Sequence, residues 1–288
     1  MADKHVDEVS GIETTGHVWD GIRELNNPLP RWWLWTFYVT ILWAIGYWIA
    51  MPAWPLVSDY TRGLLGHSQR ASIAETLAGT EAERQVYADK LAQASLEQIR
   101  TDPELLNFAL AGGRSAFAVN CSQCHGGGAA GTTGYPNLND DDWIWGGSLE
   151  AIEHSIRYGI RSGHDEARIN AMPAFGRDEL LDRGQIEAVS EYVLSLSGRA
   201  TDAAMAEAGQ AVFAEQCAAC HMENGQGNRE LGAPNLTDGI WLYGGEKADI
   251  VAAVRNSRAG VMPAWEGRLS EAAIKQLAVF VHSLGGGE

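Results

Sequence analysis

The chain has 288 residues, of which 45% are hydrophobic and 20% are charged, so it has enough apolar residues to bury a core and is not a disordered chain. Its 21 Lys and Arg residues against 37 Asp and Glu residues give a net charge of −16. This balance excludes duplex nucleic acid as a partner, because neutralising phosphates needs clustered positive charge. The length suits about two domains of roughly 150 residues each.

The first part of the chain is an acidic arm over residues 1–31, followed by a long apolar segment. From Trp32 to Met51 there are twenty residues without a charged side chain, the length that a helix needs to cross the hydrocarbon core of a membrane. Soluble helices rarely stay apolar all round for this length, and no small-x-small cleavage site follows. We predict an uncleaved transmembrane helix over residues 32–54, with tryptophans at both ends as interfacial anchors.

Residues 55–109 are hydrophilic and predict a helical spacer. Thr80-x-x-Glu83 has the pattern of a capping box and predicts a helix that continues to about Ile99. Asp102-Pro103 predicts the start of a second, short helix, with the aspartate as N-cap. The stretch has little apolar surface to bury, so it is interpreted as a semi-rigid spacer or as a segment that packs against a partner subunit.

The rest of the chain is a tandem repeat. The run Gly-x-x-x-Phe-x-x-x-Cys-x-x-Cys-His begins at Gly113 and again at Gly209. Both copies continue with Pro-Asn-Leu, an aromatic-Gly-Gly element, Met-Pro-Ala and apolar residues at helical spacing. We predict two homologous helical domains, 110–199 and 200–288. In each of them, the glycine is expected to let the first helix approach the last helix of the same repeat closely, against Tyr192 and Phe280 respectively.

Both copies contain the attachment signature of c-type haem, Cys-x-x-Cys-His. A zinc ribbon needs two cysteine pairs about 15–20 residues apart, whereas Cys124 and Cys217 are separated by 93 positions. A thioredoxin-like motif needs a βαβ context, and disulfides would not explain a histidine after each pair. We predict two covalently bound haem c groups. Their attachment sites are Cys121, Cys124, Cys217 and Cys220, with His125 and His221 as axial iron ligands.

The second axial ligands are predicted to be Met172 and Met262. These methionines occupy matching places in the two repeats, each before a proline that rigidifies its loop. Methionine–histidine ligation raises the reduction potential of a haem. A seven-residue insertion that begins at His164 leaves a second possibility open, in which His164 or the nearby His154 replaces Met172.

Further residues are candidates for supporting roles around the haems. The carbonyl groups of Pro136 and Pro234 stand at matching distances after each motif and are expected to accept the second ring N–H of the haem histidines. Haem propionates are within the expected reach of four other side chains, for which ordinary packing or a solvated charge is the alternative: Trp143, Trp241, Arg157 and Arg255.

The predicted ligand set implies electron transfer without a catalytic centre. With both axial positions filled, oxygen or peroxide chemistry at these irons is not expected, which disfavours a di-haem peroxidase. Cytochrome c haem attachment takes place outside the bacterial cytoplasm. We therefore predict a single-pass protein of the bacterial inner membrane, with residues 54–288 in the periplasm and residues 1–31 in the cytoplasm.

Two resemblances extend this interpretation. Residues 110–286 resemble class I cytochromes c. The N-terminal part resembles the di-haem subunit III (CcoP/FixP) of cbb(3)-type cytochrome c oxidases, some members of which have two membrane spans instead of one. The residues that carry this second resemblance are His17-Val18-Trp19-Asp20-Gly21-Ile22, Glu24 and Asn26-Asn27-Pro28-Leu29-Pro30-Arg31-Trp32-Trp33.

The resemblance implies a fold, a function and partners. The fold is mainly α, with one N-terminal transmembrane helix and two tandem class I cytochrome c domains. The implied function is to pass electrons from a soluble or membrane-bound cytochrome c to an oxidase in which other subunits reduce oxygen and pump protons. The implied partners are a catalytic subunit with b-type haems and copper and a mono-haem c subunit. A free-standing di-haem carrier, or the cytochrome subunit of a periplasmic dehydrogenase, is the alternative.

Overall fold

The computed structural model describes residues 5–287 and is mainly helical. It separates into two compact units, Met1–Glu81 and Ala82–Glu288. The helical fold class predicted from the sequence is confirmed. A short β-hairpin at the N-terminus is an element that the sequence patterns did not reveal.

The N-terminal unit contains this hairpin and one apolar helix. Strands β1 (Thr14–Trp19) and β2 (Ile22–Leu25) pair antiparallel and are joined by a turn at Asp20 and Gly21. Both turn residues have positive φ, 48° and 85°, as in the Asp-Gly turns that favour two-residue hairpins. Helix α1 (Arg31–Ala50) has 20 residues, none of them buried within the protein, and is long and apolar enough to cross a membrane.

Helix α1 ends four residues before the predicted boundary at residue 54. The reason is Pro52, since the residue before a proline is driven out of the helical region. Met51 accordingly is extended, with φ −112° and ψ 162°. Trp54 lies beyond the helix and packs edge-on against Trp48, with ring centroids 4.9 Å apart.

The predicted spacer differs from the observed structure in its helix boundaries. Helix α2 (Gln69–Gln93) begins eleven residues before Thr80, whose hydroxyl donates to the Thr76 carbonyl instead of capping a helix. The capping box lies at Ser95 and Gln98, where helix α3 (Leu96–Thr101) begins. Helix α4 (Pro103–Asn120) has the predicted Asp102 cap but is not short, because it continues through residue 109 to the first cysteine motif.

The remaining helices follow the repeat. Five belong to the first repeat or to the start of the second: α5 (Ser122–His125), α6 (Leu149–Tyr158), α7 (Arg183–Leu196), α8 (Ala203–Gln216) and α9 (Ala218–His221). The last two are α10 (Lys247–Asn256) and α11 (Glu271–His282).

The two repeats exchange their last helices. Helix α11 packs on α4, and α7 packs on α8, so the expected pairing of first and last helices within each repeat is wrong. A Cβ atom at Gly113 would collide with the Gln276 carbonyl group of α11, and one at Gly209 would collide with the Ala188 carbonyl group of α7. We call the unit built from α3–α6 and α11 lobe A, and the unit built from α7–α10 lobe B.

The exchange has a simple physical cause in chain connectivity. Only residues 197–202 connect α7 to α8, so these helices form an antiparallel hairpin at little cost in loop closure. Both last helices carry the same apolar pattern, and both first helices carry Gly-x-x-x-Phe, so either pairing buries equivalent surfaces. The matching ring contacts are Tyr192–Phe213 in lobe B, with centroids 5.1 Å apart, and Phe117–Phe280 in lobe A, 5.6 Å apart.

The core of lobe A also includes the end of the predicted spacer. Leu91 and Ile99 are completely buried there, and Leu96 is 6% exposed. Lys275 of α11 donates to the Ala92 and Ala94 carbonyl groups at 2.7 and 2.8 Å, which satisfies acceptors at the end of α2. This part of the chain therefore belongs to the core of lobe A and does not serve as a free spacer.

Candidate functional site

Each Cys-x-x-Cys-His motif forms a single helical turn at the end of a longer helix. Cys121 ends α4, and the amide groups of Cys124 and His125 donate back to its carbonyl group at 3.1 and 3.0 Å. Cys217 ends α8 in the same way. This turn presents both thiols and the histidine from one short segment. None of the four cysteines forms a disulfide, and burial raises the pKa of the Cys121 and Cys217 thiols to about 11.

The two histidines are held by the predicted proline carbonyl groups. His125 Nδ1 lies 3.2 Å from the Pro136 oxygen, and His221 Nδ1 lies 3.1 Å from the Pro234 oxygen, which confirms both expected contacts. Because a carbonyl oxygen only accepts, Nδ1 carries the proton. Burial lowers the pKa of both histidines, and with Nδ1–H directed at the proline carbonyl, Nε2 is the ring nitrogen left to bind a metal.

Met262 lies in lobe A, although it belongs to the second repeat. Its amide group donates to the Ile160 carbonyl at 3.0 Å and its carbonyl accepts from the Ile160 amide at 2.9 Å. The side chain packs against the same core cluster as Cys121 and Trp143. The Met262 loop, which belongs to the second repeat, therefore packs in the lobe that contains the first cysteine motif.

Met172 makes the reciprocal crossing into lobe B. Its carbonyl accepts the Ser257 hydroxyl at 2.6 Å, at the end of α10. Its side chain packs with a core cluster that includes Val212 and Val254, and both valines also pack with the cluster around Cys217. Each Met-Pro loop is thus attached to the repeat from which it does not come.

The two histidines considered as substitutes for Met172 lie elsewhere, in lobe A. His164 Nε2 is 3.1 Å from a Glu266 carboxylate oxygen. His154 packs edge-on against Tyr158, on the side of α6 opposite to its core residues. Neither histidine packs with the cluster around Met172, so the structure does not favour a bis-histidine site.

Arg157 forms a cluster of ion pairs, and its contact with a haem propionate stays a prediction. Its guanidinium lies 2.5 Å from Glu153, 2.6 Å from Glu271 and 3.7 Å from Glu266. These ion pairs fasten α6 to α11 and to the Met262 loop, and they lower the pKa of Glu271. Arg255 is exposed. Its backbone carbonyl accepts a hydrogen bond from the Arg177 amide at 2.9 Å, which joins the first repeat to α10.

The two predicted tryptophans differ in their partners. Trp143 Nε1 donates to the Gly286 carbonyl near the C-terminus. Trp241 Nε1 is buried without a hydrogen-bond partner among the described residues, and its ring packs with the cluster around Cys217. An orphaned buried N–H costs free energy unless an acceptor is supplied. A carboxylate-bearing cofactor in lobe B would supply one, so the surroundings of the second motif fit haem.

Each repeat also has an arginine four residues before its methionine, which was not among the residues predicted from the sequence. The Arg168 guanidinium lies over the Trp145 ring, 5.2 Å from its centroid, and the Arg258 guanidinium lies over the Tyr243 ring at 5.7 Å. The signal was present in the sequence as Arg-x-x-x-Met-Pro in both repeats.

Comparison with known proteins gives consistent matches over the whole chain. A family model described as the N-terminal domain of cytochrome oxidase-cbb3, FixP, matches residues 11–58. A model for cytochrome c oxidase, cbb3-type, subunit III matches residues 108–193 and 204–281. The chain is 57% identical to the cbb3-type cytochrome c oxidase subunit FixP of Bradyrhizobium sp. (strain ORS 278) over 290 aligned positions, which cover 100% of both chains.

Two further relatives carry the name CcoP. The chain is 54% identical to the cbb3-type cytochrome c oxidase subunit CcoP of Cereibacter sphaeroides over 276 positions, 96% of this chain and 95% of the relative. It is 52% identical to that of Azospirillum brasilense over 295 positions, covering 100% of both. The family matches follow the sequence repeats, so each match includes helices from both lobes.

Proposed function

We propose that this chain, which belongs to the subunit III family of cbb3-type cytochrome c oxidases, carries two covalently bound haem c groups, one in each lobe. Its relatives in that family are called FixP or CcoP, and the chain is therefore a cytochrome c electron-transfer subunit of the complex. Haem c, when bound, supplies a one-electron couple whose potential is set by its axial ligands and surroundings. The chain's own residues attach it, orient it and complete its coordination.

The two haems are held by residues from both repeats. Cys121 and Cys124 would attach the haem of lobe A, and His125 and Met262 would bind its iron. Cys217, Cys220 and His221 hold the haem of lobe B, which Met172 completes. The observation that carries this assignment is the crossing of the Met-Pro loops. Met262 packs with the cluster that includes Cys121, and Met172 packs with a cluster that shares Val212 and Val254 with the cluster around Cys217.

The proximal hydrogen bonds support the ligand role of both histidines. Each Nδ1–H donates to a proline carbonyl, which fixes the tautomer and orients the ring. With a histidine and a methionine as its protein ligands, the iron of each haem would have no position open to oxygen. Lobe A and lobe B therefore act as electron carriers, and oxygen is reduced in another subunit of the complex.

The proposed location follows from the site of haem attachment. Helix α1 spans the bacterial inner membrane once, with the acidic arm in the cytoplasm and both lobes in the periplasm. The proposed partners in the complex are a catalytic subunit with b-type haems and copper and a mono-haem c subunit. The net charge of −16 favours a basic donor cytochrome, since opposite charges steer encounter.

The crossed ligation is tested in variants that keep one haem. In full-length Cys121→Ala/Cys124→Ala protein, only the haem of lobe B is attached. Met172→His in that background is expected to remove the absorption signature of methionine ligation, whereas Met262→His leaves it intact. The reverse result would show that each repeat ligates its own haem. Cys217→Ala/Cys220→Ala is the complementary background, in which the two histidine substitutions exchange their effects.

Haem content and partners are tested on the purified full-length chain. A pyridine haemochrome assay is expected to give two haems c per polypeptide, and a value of one would contradict the proposal. Gentle-detergent capture of the tagged chain is expected to co-purify b-type haem and carbon-monoxide-sensitive oxygen uptake. Capture of c-type haem alone, under conditions that keep a known oxidase intact, would contradict the proposed partners.

A further inference from the structure

Two partly buried arginines in lobe A have no acidic partner. Arg168 donates through Nη2 to the Ala151 carbonyl at 3.3 Å, while its Nε is buried without a hydrogen-bond partner. Arg161 donates to the Gly260 and Asn170 carbonyl groups, both at 2.7 Å. Within residues 5–287, neither guanidinium forms an ion pair within 4.0 Å. These contacts leave two positive charges without a compensating negative charge.

This arrangement is unusual for a chain so rich in acidic residues. It has 37 Asp and Glu side chains, and Arg157 nearby binds three of them. Desolvating a cation is unfavourable unless an anion compensates it. Burial indeed lowers the pKa of Arg161 and of Arg168, with no carboxylate to oppose it. The absence of an acidic neighbour therefore points to an anion that is not part of the polypeptide.

Both arginines lie beside the proposed axial ligand of lobe A. Ile160 forms backbone bridges with Arg168 on one side and with Met262 on the other. Arg161 follows Ile160 directly and reaches the carbonyl of Gly260, two residues before Met262. Arg161 and Arg168 thus belong to the same short set of backbone bridges that holds Met262.

On the basis of the proposed function, we infer that Arg168 and Arg161 bind the propionate carboxylates of the haem in lobe A. A guanidinium donates paired hydrogen bonds to a carboxylate, and the unpartnered Nε of Arg168 is available for one of them. The Trp145 ring beneath the guanidinium fixes its orientation. These are positioning residues that also set the electrostatic field at the iron.

Lobe B has a similar arginine stacked on an aromatic ring, but this arginine is more exposed to solvent. Its equivalent arginine, Arg258, stacks on Tyr243 but is exposed. The seven-residue insertion, which contains Arg168, has no counterpart in the second repeat, so Arg258 stands alone where the first repeat has both Arg161 and Arg168. A cation near a haem favours the reduced state, because the oxidised haem carries one more positive charge. The effect falls as solvent screens the cation. Arg168 therefore raises the potential of its haem more than Arg258 does.

The test is a redox titration of the full-length two-haem chain, followed by absorbance. Arg168→Gln is expected to shift one of the two potentials downwards by about 59 mV, equivalent to a tenfold change in the ratio of reduced to oxidised haem. Arg168→Lys keeps the charge and restores most of the shift. Arg258→Gln is the matched control, and it moves the other potential by less than half as much. Met262→His identifies the haem of lobe A, because its potential falls in that variant.

A result in which Arg168→Gln retains both haems and moves neither potential overturns the inference. An equal shift in Arg168→Lys also overturns it, since a structural contact and not the charge would then be responsible. If Arg168→Gln does not accumulate, Arg161→Gln provides the same comparison, and an unchanged potential there has the same meaning. Failure of the proposed function is distinguishable, because the unmodified chain would then lack two haems.

Discussion

Lobe A and lobe B contain matching helices in a different chain order, and they have different side chains at one pair of matching positions. In lobe A these are Leu149 of α6 and Val279 of α11, both part of the apolar core. In lobe B they are Lys247 of α10 and Glu191 of α7, whose charged groups lie 2.7 Å apart. The Glu191 side chain is completely buried, and the Lys247 side chain is 35% exposed.

The ion pair accompanies a difference in chain connectivity. Glu191 also accepts the Thr201 hydroxyl at 2.8 Å and the Asp202 amide at 2.8 Å. These groups belong to the short connection between α7 and α8, which lobe A lacks because residues 121–270 separate α4 from α11. The comparison teaches that the charge in lobe B fastens the connection that makes the helix exchange possible. Valine is sufficient where no connection has to be held.

The largest loss of stability in lobe B relative to lobe A is expected from Glu191→Ala. It leaves Lys247 partly buried without its partner and removes the acceptor of two amides, so lobe B loses about 2–3 kcal/mol. Hydrogen exchange of α7 and α8 amides in the full-length chain measures the loss, with α4 and α11 as the internal reference. The double variant Glu191→Val/Lys247→Leu copies lobe A. If the double variant destabilises lobe B as much as Glu191→Ala does, the charges themselves are required.

The next effect is expected from the glycines at the two helix crossings. Gly209→Ala forces a methyl group against the Ala188 carbonyl, and overpacking of this kind costs about 1–3 kcal/mol. Faster exchange is expected in lobe B only. Gly113→Ala is the matched variant and is expected to act on lobe A only. An effect of Gly209→Ala on α11 would contradict the exchanged pairing.

A smaller effect is expected from Arg157→Ala. Its guanidinium is 15% exposed and binds three carboxylates, so the loss is about 1–2 kcal/mol, confined to lobe A. Arg255→Ala is the control, because the equivalent arginine of lobe B is exposed and Val251 and Arg183 replace two of the acidic partners. Denaturant unfolding of the holoprotein is expected to separate the two variants, and equal losses would mean that the carboxylates contribute nothing.

The smallest effect is expected on mild acidification. The hydrogen bond from Lys247, followed by those from Thr201 and Asp202, lowers the pKa of Glu191 to about 2 from 4.5. A depressed pKa gives stability that is complete above about pH 4.5 and is lost as pH falls towards 2. Between pH 5 and pH 3.5 lobe B should weaken in the parent chain. The Glu191→Val/Lys247→Leu variant should lose less, and an identical decline would exclude Glu191 as the cause.

Local signals predicted much of this structure. Asp102 caps a helix as expected, Pro136 and Pro234 hold the histidines, and the apolar segment forms a continuous helix. Such features depend on residues close in sequence, so a pattern identifies them. The ion pairs of Arg157 were not expected, because its acidic partners Glu266 and Glu271 are distant in sequence and no local pattern reveals them.

The sequence by itself determined the two cysteine motifs, the matching methionines and the family of the chain. Only the tertiary structure decided which methionine lies beside which motif. The repeats carry nearly the same apolar faces, so burial of hydrophobic surface is similar for either pairing and does not choose between them. The choice depends on the short connection of α7 to α8 and on the contacts of Glu191 that hold it. The contacts with Thr201 and Asp202 lie within one connection, whereas the contact with Lys247 requires α10 of the second repeat to pack on α7 of the first.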